Sequence, residues 1–201
     1  METGMRALTD EEINCMLAAM TGGKNAVRNR ALLILGIFSG FRISELLSIK
    51  VGDLYDGQRL RDRFTVQKGF IKGKRESRTM PLNDAAGQAI LRWLQCSKRD
   101  NPYYLNWPLF SAQGKRSAIS RQLATRVLVE VAESAGIDAR RIGGHSLRKT
   151  FATKAWNSQF VAGDMAKMAK LLGHKNWSNT LRYISFLDGS LDKAVMEMEL
   201  S

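Results

Sequence analysis

Residues 25–39 form the stretch that most constrains how this chain can fold. A helix over these residues would be apolar nearly all round, through Leu32, Leu33, Leu35 and Ile37. Such a helix has no polar face to turn toward solvent, so the stretch predicts a central, buried helix. Gly40 follows it and suits the left-handed conformation that commonly ends a helix.

Local signals predict further helices around this element. Thr9 and Glu12 have the spacing of a capping box at the start of a first helix, and Gly22-Gly23 end that helix. Asn83 and Ser120 are predicted N-caps, and Ser178 is predicted to cap a short helix near the end of the chain. The other helices are expected over residues 41–49, 83–98, 120–136, 164–172 and 191–200, and from Gly143-Gly144 onward.

The periodicity changes between residues 51 and 82. Residues 64–67 and 70–71 have the composition of strands, and residues 78–82 are predicted to return as another strand. A cation-rich turn over residues 72–77 joins them, and residues 108–110 are expected to form a short strand or an extended link. The predicted fold class is α+β, mainly helical with a small antiparallel β-sheet or hairpin at one edge, in a single domain over residues 1–201.

The charge of the chain favours a polyanionic partner. Thirty-one Lys and Arg oppose nineteen Asp and Glu among 201 residues, a formal net charge of +12. Such an excess of positive charge favours nucleic acid as the partner, because binding releases the counterions condensed on its phosphates. Cys15 and Cys96 imply no disulfide framework, and the apolar run over residues 31–38 is too short to span a bilayer. We therefore expect a cytoplasmic, nucleoid-associated protein.

The glycine pair Gly143-Gly144 opens a helix that carries His145 and Arg148 three positions apart. This spacing places both side chains on one face. An imidazole and a guanidinium beside the unpaired N–H groups of a helix N-terminus form a pocket for an anion such as phosphate. Arg42, earlier in the chain, either joins such a site or simply pairs with Glu45 at i+3.

Four fragments of the sequence are informative when taken together. They are Phe41-Arg42-Ile43-Ser44-Glu45-Leu46, a strand-turn-strand lysine before Met80-Pro81-Leu82, His145-Ser146-Leu147-Arg148, and Leu171-Leu172-Gly173-His174 with Tyr183 nine residues later. Together they resemble the catalytic domain of the tyrosine recombinases, the phage integrase family. Each fragment alone is weak evidence, but all four occur in the order and spacing of the family. The resemblance covers essentially the whole chain.

The resemblance implies a role for each of six residues. Arg42 and Arg148 would hold the non-bridging oxygens of a DNA phosphate, and His145 and His174 would donate hydrogen bonds to it. Lys72 would protonate the leaving 5′ oxygen, and Tyr183 would attack to form a 3′-phosphotyrosyl bond. Cations suit this chemistry, since charge builds on the phosphate oxygens, and no metal or cofactor is expected.

Several basic residues are left with open assignments. Lys72 is preferred as the catalytic lysine because it ends an apolar segment and precedes Gly73, but Lys74 and Lys68 are alternatives. DNA contacts are expected from the remaining basic residues near these motifs: Lys68, Lys74, Arg75, Arg78, Lys149 and Lys175. Lys149 stands where many relatives have a second histidine.

The resemblance also predicts partners. We expect double-stranded DNA with specific recombination sites, a homotetramer on DNA, and a monomer or weak dimer when free, with accessory DNA-bending proteins left open. The tail over residues 184–201, with an apolar stripe over residues 191–200, is expected to pack on a neighbouring subunit. The N-terminal DNA-clamping domain of most relatives is missing before Thr9, so the chain is either an excised catalytic domain or a minimal recombinase.

Two other functions remain open at this stage. A DNA-binding regulatory protein on the same fold would lack efficient strand exchange. A type IB topoisomerase would share the chemistry but relax supercoils as a monomer. The target sequence, and the choice among integration, excision, inversion and resolution, are not determined by these motifs.

Overall fold

The computed structural model describes residues 4–67, 77–97, 104–112, 116–174 and 177–184, with the backbone alone at residues 177 and 182–184. The helices of this part are α1 (Asp10–Ala19), α2 (Gly23–Ser39), α3 (Ile43–Ser48), α4 (Val51–Leu54), α5 (Asp84–Cys96), α6 (Arg121–Ser134), α7 (Gly144–Trp156), α8 (Met165–Leu172) and α9 (Trp177–Ile184). Strands β1 (Arg63–Val66) and β2 (Arg78–Pro81) form an antiparallel pair. The predicted class, mainly helical with a small antiparallel sheet, is confirmed.

The central position predicted for α2 is confirmed by its burial. Leu32 and Leu33 are fully buried, Leu35 is 1 % exposed, and the helix packs along α5. A Cβ added to Gly36 would lie 2.5 Å from Leu147 Cδ1. A glycine at this position therefore lets α7 approach the backbone of α2 closely.

Side-chain caps set the helix starts where the sequence predicts them. Thr9 and Glu12 form the reciprocal capping box of α1, with Glu12 N donating to Thr9 Oγ1 at 3.1 Å. Asn83 accepts from Ala85 N in the first turn of α5, and Ser120 accepts from Leu123 N in α6. Each cap satisfies a backbone donor that would otherwise lack a partner in the helix.

The two strands bury one face and expose the other. Phe64 lies opposite Met80, and both are buried, whereas Thr65 and Thr79 pair on the outer face with their hydroxyl oxygens 2.7 Å apart. This alternation is what a strand with one covered face requires. β1 begins and ends one residue earlier than predicted, and residues 68–76, with the predicted strand at 70–71, lie outside the described residues.

The chain divides into two compact units, Met1–Thr150 and Phe151–Ser201. In the second unit Ala152, Val161, Met168 and Leu172 form a core of their own, with Phe151 and Trp156 packed against it. The single catalytic domain over residues 1–201 stays a prediction. The predicted helix over 191–200 and the tail over 184–201 lie outside the described residues, apart from Ile184.

Two local predictions are corrected. Ser178 does not cap a helix, because α9 already begins at Trp177. The short helix α4 was not predicted; it forms because Asp53 accepts a hydrogen bond from Lys50 N at 2.8 Å and closes a single turn. Residues 108–110 form no strand, although Pro108 makes an isolated antiparallel bridge with Lys50. No helix in the described part is both long and apolar enough to cross a membrane.

Candidate active site

Arg42 is presented by a sharp change of direction after α2. Gly40 ends that helix in the left-handed region, with φ 59° and ψ 18°, and Phe41 is fully buried beneath the turn. Arg42 then stands at the N-cap of α3, where Nη1 donates to Glu45 Oε1 and the backbone N donates to Glu45 Oε2, both at 2.9 Å. The pairing predicted at i+3 is confirmed, and 37 % of the arginine side chain still faces solvent. Pairing with Glu45 and access to a ligand are therefore compatible.

Glu45 is a buried carboxylate among cations. Burial alone would raise its pKa, but the hydrogen bonds from the backbone and guanidinium of Arg42, with the positive charges of Arg78 and Arg42, outweigh burial and lower the pKa below its usual value. The side chain is therefore ionised at neutral pH. It fixes one edge of the Arg42 guanidinium, which limits the orientations that Arg42 can adopt.

We expect Glu45→Gln to destabilise the protein by about 2 kcal/mol at pH 7, because a buried charge-assisted pair is lost. Since the pKa of folded Glu45 lies below the unfolded value of about 4.3, its ionised form stabilises the fold above that pH. That stability is lost as the pH falls through the folded pKa. Urea unfolding should show that the free energy of unfolding falls less between pH 7 and pH 4 in the variant than in wild type. The control Glu130→Gln removes an exposed carboxylate 3.8 Å from Arg126 and should change stability little. Equal effects of the two substitutions would contradict the prediction.

The start of α7 lies directly against α3. A Cβ on Gly144 would lie 2.9 Å from Ile43 Cβ, so only glycine permits this approach without a shift. Gly143 N donates to Ser146 Oγ at 3.2 Å, and Ser146 is fully buried. The glycine pair therefore brings the first turn of α7, with His145, next to the N-terminus of α3, with Arg42.

Arg148 is fully buried and reaches the same turn. Its Nη1 donates to the Gly40 carbonyl oxygen at 2.6 Å, two residues before Arg42. A guanidinium with no exposed surface is uncommon, and here the carbonyls at the C-terminus of α2 help to compensate its charge. The structure thus brings the predicted residues Arg42, His145 and Arg148 together.

His145 shares the electrostatic field of both arginines. Its partial burial lowers its pKa, and the positive charges of Arg148, Arg42 and Lys149 lower it further. It also lines a cavity of about 560 Å³ between the starts of α3, α6 and α7, with Ile43, Gly144, Arg121, Gln122, Thr125 and Arg126. A neutral imidazole in this cavity can donate a hydrogen bond to an anion, and a bound anion would favour its protonation.

The chain has two histidines, so an NMR titration of imidazole protons should resolve both. We expect His145 to titrate below the ordinary value of about 6.5, and its pKa to rise when DNA is added. Because folding lowers the pKa of His145, its contribution to the free energy of unfolding is complete above pH 6.5. That contribution declines as the pH falls toward the folded pKa. The variant His174→Gln assigns the two curves. A pKa of His145 at or above 6.5 without DNA would contradict the expected effect of burial and of the neighbouring positive charges.

His174 and Tyr183 belong to the second unit. Gly173 ends α8 in the left-handed region, and His174 N donates to the Ala169 carbonyl at 2.9 Å. The Nδ1 atom of His174 lies 3.0 Å from the hydroxyl of Thr180, which is fully buried on α9. This contact fixes the orientation of the imidazole ring. The same helix carries Tyr183, whose backbone alone is described.

Other predicted site residues have different outcomes. Lys149 is half-buried near Gly4, and Arg78 is half-buried against Phe41 rather than extended into solvent. The remaining five lie outside the described residues: Lys68, Lys72, Lys74, Arg75 and Lys175. No group of three or more metal-ligating side chains occurs within the described ranges.

Sequence reasoning missed the cations at the start of α6. Arg121 and Arg126 lie in its first two turns and line the same cavity as His145. The available signal was their position, because acidic residues are preferred in the first turn of a helix and basic ones there suit an external anion. Thr180 was also missed, since its contact with His174 depends on how α8 and α9 pack.

Comparisons with known proteins identify the relatives of this chain. The sequence pattern described as the phage integrase family matches residues 6–188. Tyrosine recombinase XerA of Pyrococcus furiosus is 27 % identical over 200 residues, which are 97 % of this chain and 62 % of the relative. Tyrosine recombinase XerD of Rhizobium meliloti is 33 % identical over 172 residues, 84 % of this chain and 50 % of the relative. The chain thus spans between half and two thirds of the length of these proteins.

Solved structures share the fold. The crystal structure of XerA recombinase has a TM-score of 0.73 and 19 % identity, and covers 100 % of this chain and 65 % of that one. XerH site-specific recombinase bound to its palindromic difH substrate, a post-cleavage complex, has a TM-score of 0.71 and 23 % identity, with 96 % and 53 % of the two chains covered.

Proposed function

Because this chain belongs to the phage integrase family, we propose that it cuts and rejoins DNA strands at specific sites through a covalent phosphotyrosyl intermediate. The observation that carries the proposal is the meeting of Arg42 and Arg148 at one turn. Arg148 donates to Gly40, two residues from Arg42, and the charges of both lower the pKa of His145. Relatives named as tyrosine recombinases support the same reaction.

The arginines supply charge where the reaction needs it. Attack on a phosphodiester builds negative charge on the non-bridging oxygens, and two guanidiniums can bind these oxygens through paired hydrogen bonds. Their positions are fixed before substrate arrives, Arg42 by Glu45 and Arg148 by Gly40. Donors held in this way lower the barrier once the phosphate is bound, and because Arg148 is fully buried, DNA binding must uncover it. His145 and His174 donate further hydrogen bonds to the same phosphate.

Tyr183 is the proposed nucleophile. Its Oη forms a bond to phosphorus as the bond to the 5′ oxygen breaks, which leaves a 3′-phosphotyrosyl link and a 5′ hydroxyl. A phenol ordinarily has a pKa of about 10, so its proton must pass to solvent water or to a nearby base as the bond forms. The leaving 5′ oxygen takes a proton from Lys72, with Lys74 or Lys68 as alternatives. In the second step the 5′ hydroxyl of another strand attacks the phosphotyrosyl link, which releases Tyr183 and needs no external energy source.

The proposed substrate is double-stranded DNA with specific recombination sites. The net charge of +12 and the cations that line the cavity beside His145 support this substrate. Phosphate contacts by Arg121 and Arg126, and by the predicted contact residues Lys68, Lys74, Arg75, Lys149 and Lys175, would make affinity fall steeply with salt. Both strands of two sites must be cut, and each of these four cuts uses one Tyr183, so a homotetramer on DNA is the proposed assembly. Residues 184–201 are the proposed contact between subunits. DNA as substrate implies a cytoplasmic, nucleoid-associated location.

The test is covalent capture of nicked DNA. The purified chain is incubated with a library of nicked half-sites, from which the short cleaved product diffuses away, and the protein-linked ends are sequenced. A covalent complex with a consistent sequence at the captured ends is expected. Sequence-specific binding without capture would indicate a regulatory DNA-binding protein instead. Relaxation of an arbitrary supercoiled plasmid at low protein concentration would indicate a topoisomerase.

A further inference from the structure

Arg78, the first residue of β2, contacts the turn that presents Arg42. Its guanidinium lies over the ring of Phe41, with Cζ 3.7 Å from the ring centroid, and its Nη2 donates to the Ser39 carbonyl at 3.0 Å. Both contacts are favourable for a cation, one with the face of an aromatic ring and the other with the negative end of a helix. Arg78 therefore covers the C-terminus of α2 and the buried Phe41 together.

The turn over residues 39–42 is held at each of its positions. Arg78 binds the carbonyl of Ser39, Arg148 binds the carbonyl of Gly40, and Phe41 is buried beneath the Arg78 guanidinium. Arg42, the last residue of the turn, is held by Glu45. A displacement of Ser39 or Phe41 would therefore move the backbone from which the Arg42 side chain extends.

The same arginine acts on Glu45 through its charge. Burial, together with the charges of Arg148 and Arg42, lowers the pKa of Arg78 to about 9, although the carboxylate of Glu45 acts in the opposite direction. Arg78 is thus still protonated at neutral pH. In return its charge helps to lower the pKa of Glu45, the group that fixes the Arg42 guanidinium.

We propose that Arg78 is a positioning residue for DNA cleavage, which acts on Arg42 by holding the turn over residues 39–42 and by placing a positive charge near Glu45. The inference rests on the proposed function, in which Arg42 binds the phosphate under attack. It differs from the expectation, made from sequence, that Arg78 contacts DNA. A guanidinium placed over Phe41 and bonded to Ser39 is engaged within the protein on one face and one edge.

Arg78→Lys distinguishes the positioning of Arg42 from a direct contact with DNA. Lysine keeps the positive charge that would bind a phosphate, but it lacks the planar guanidinium that stacks on Phe41. The matched control is Arg63→Lys, an exposed arginine at the other end of the same pair of strands, opposite Pro81. We expect Arg78→Lys to slow single-turnover cleavage of a nicked half-site by about tenfold or more at saturating protein, with DNA affinity and its salt dependence unchanged. The control should cleave close to the wild-type rate.

Two results would overturn the proposal. One is cleavage by Arg78→Lys at the wild-type rate. The other is a loss confined to affinity in Arg78→Gln, with a salt slope smaller by about 0.9, which is the signature of a lost phosphate contact. A double-mutant cycle measures the coupling between the two residues. In an Arg42→Lys background, Arg78→Lys should slow cleavage by a much smaller factor than it does in the wild-type background. If the loss of rate in the double variant equals the product of the two single losses, Arg78 does not act through Arg42.

A measurement independent of cleavage uses the carboxyl group of Glu45. Titration by ¹³C NMR should give a higher pKa for Glu45 in Arg78→Gln than in wild type, and an unchanged pKa in Arg63→Gln. An unchanged value in Arg78→Gln would overturn the electrostatic part of the proposal. If the wild-type chain forms no covalent complex, the proposed function fails, and this titration still decides whether Arg78 controls the charge that holds Arg42.

Discussion

Replacing Tyr183 by phenylalanine is expected to abolish covalent capture of DNA. The substitution removes only the hydroxyl oxygen that would bond to phosphorus, so no phosphotyrosyl link can form. We expect at least about a thousandfold loss of cleavage, because the oxygen that would attack phosphorus is absent. The measurement is gel analysis of protein-linked DNA after incubation with a nicked half-site.

The control for this substitution is Tyr55→Phe. The Tyr55 hydroxyl donates to the Gly57 carbonyl at 3.0 Å, a local contact beside the turn after α4. Its loss should leave capture intact. DNA affinity should stay at the wild-type level in Tyr183→Phe, because a single neutral hydroxyl contributes little to binding that is dominated by phosphate charge. Capture that persists in Tyr183→Phe would show that another residue is the nucleophile.

Arg148→Lys should have the second largest effect, a fall of about 100- to 1,000-fold in the rate of cleavage. Lysine keeps the positive charge but cannot donate at once to the Gly40 carbonyl and in paired bonds to a phosphate. The arginine already uses Nη1 for Gly40 at 2.6 Å. Single-turnover cleavage at saturating protein measures the effect on the chemical step apart from binding.

A buried arginine is also a structural residue, so the control must be one too. Arg28 on α2 is 5 % exposed and donates through Nε and Nη2 to the side chain of Asn29. Arg28→Lys should lower the melting temperature to a similar degree while it cleaves close to the wild-type rate. An Arg148→Lys variant that lost stability but cleaved as fast as Arg28→Lys would contradict the role of Arg148 in the reaction.

Features that depend on neighbours in sequence could be predicted before the structure. The capping box of Thr9 and Glu12, the cap at Asn83 and the left-handed end at Gly40 each involve contacts within about one helical turn. The burial of α2 follows from the apolar composition of residues 31–38, which covers nearly all sides of the helix. The pairing of Arg42 with Glu45 was also accessible, because it spans a single turn of α3.

Features that depend on tertiary contacts were not accessible in the same way. Arg78 begins a strand after a basic stretch of sequence, a position typical of an exposed cation. Only its contact with Phe41 in the structure shows that it is engaged within the protein. The need for glycine at position 144 comes from Ile43, 101 residues earlier. The contact between His174 and Thr180 likewise needs α8 and α9 to be placed. The family was recognisable from motif order, whereas the support around each site residue required coordinates.

An atomic structure of the covalent half-site complex would show which side chains bind the phosphate under attack. We predict that the phosphate bonded to Tyr183 Oη accepts hydrogen bonds from the guanidiniums of both Arg42 and Arg148. If these two arginines contact different phosphates, or if the DNA is linked through another side chain, the proposed active site is wrong.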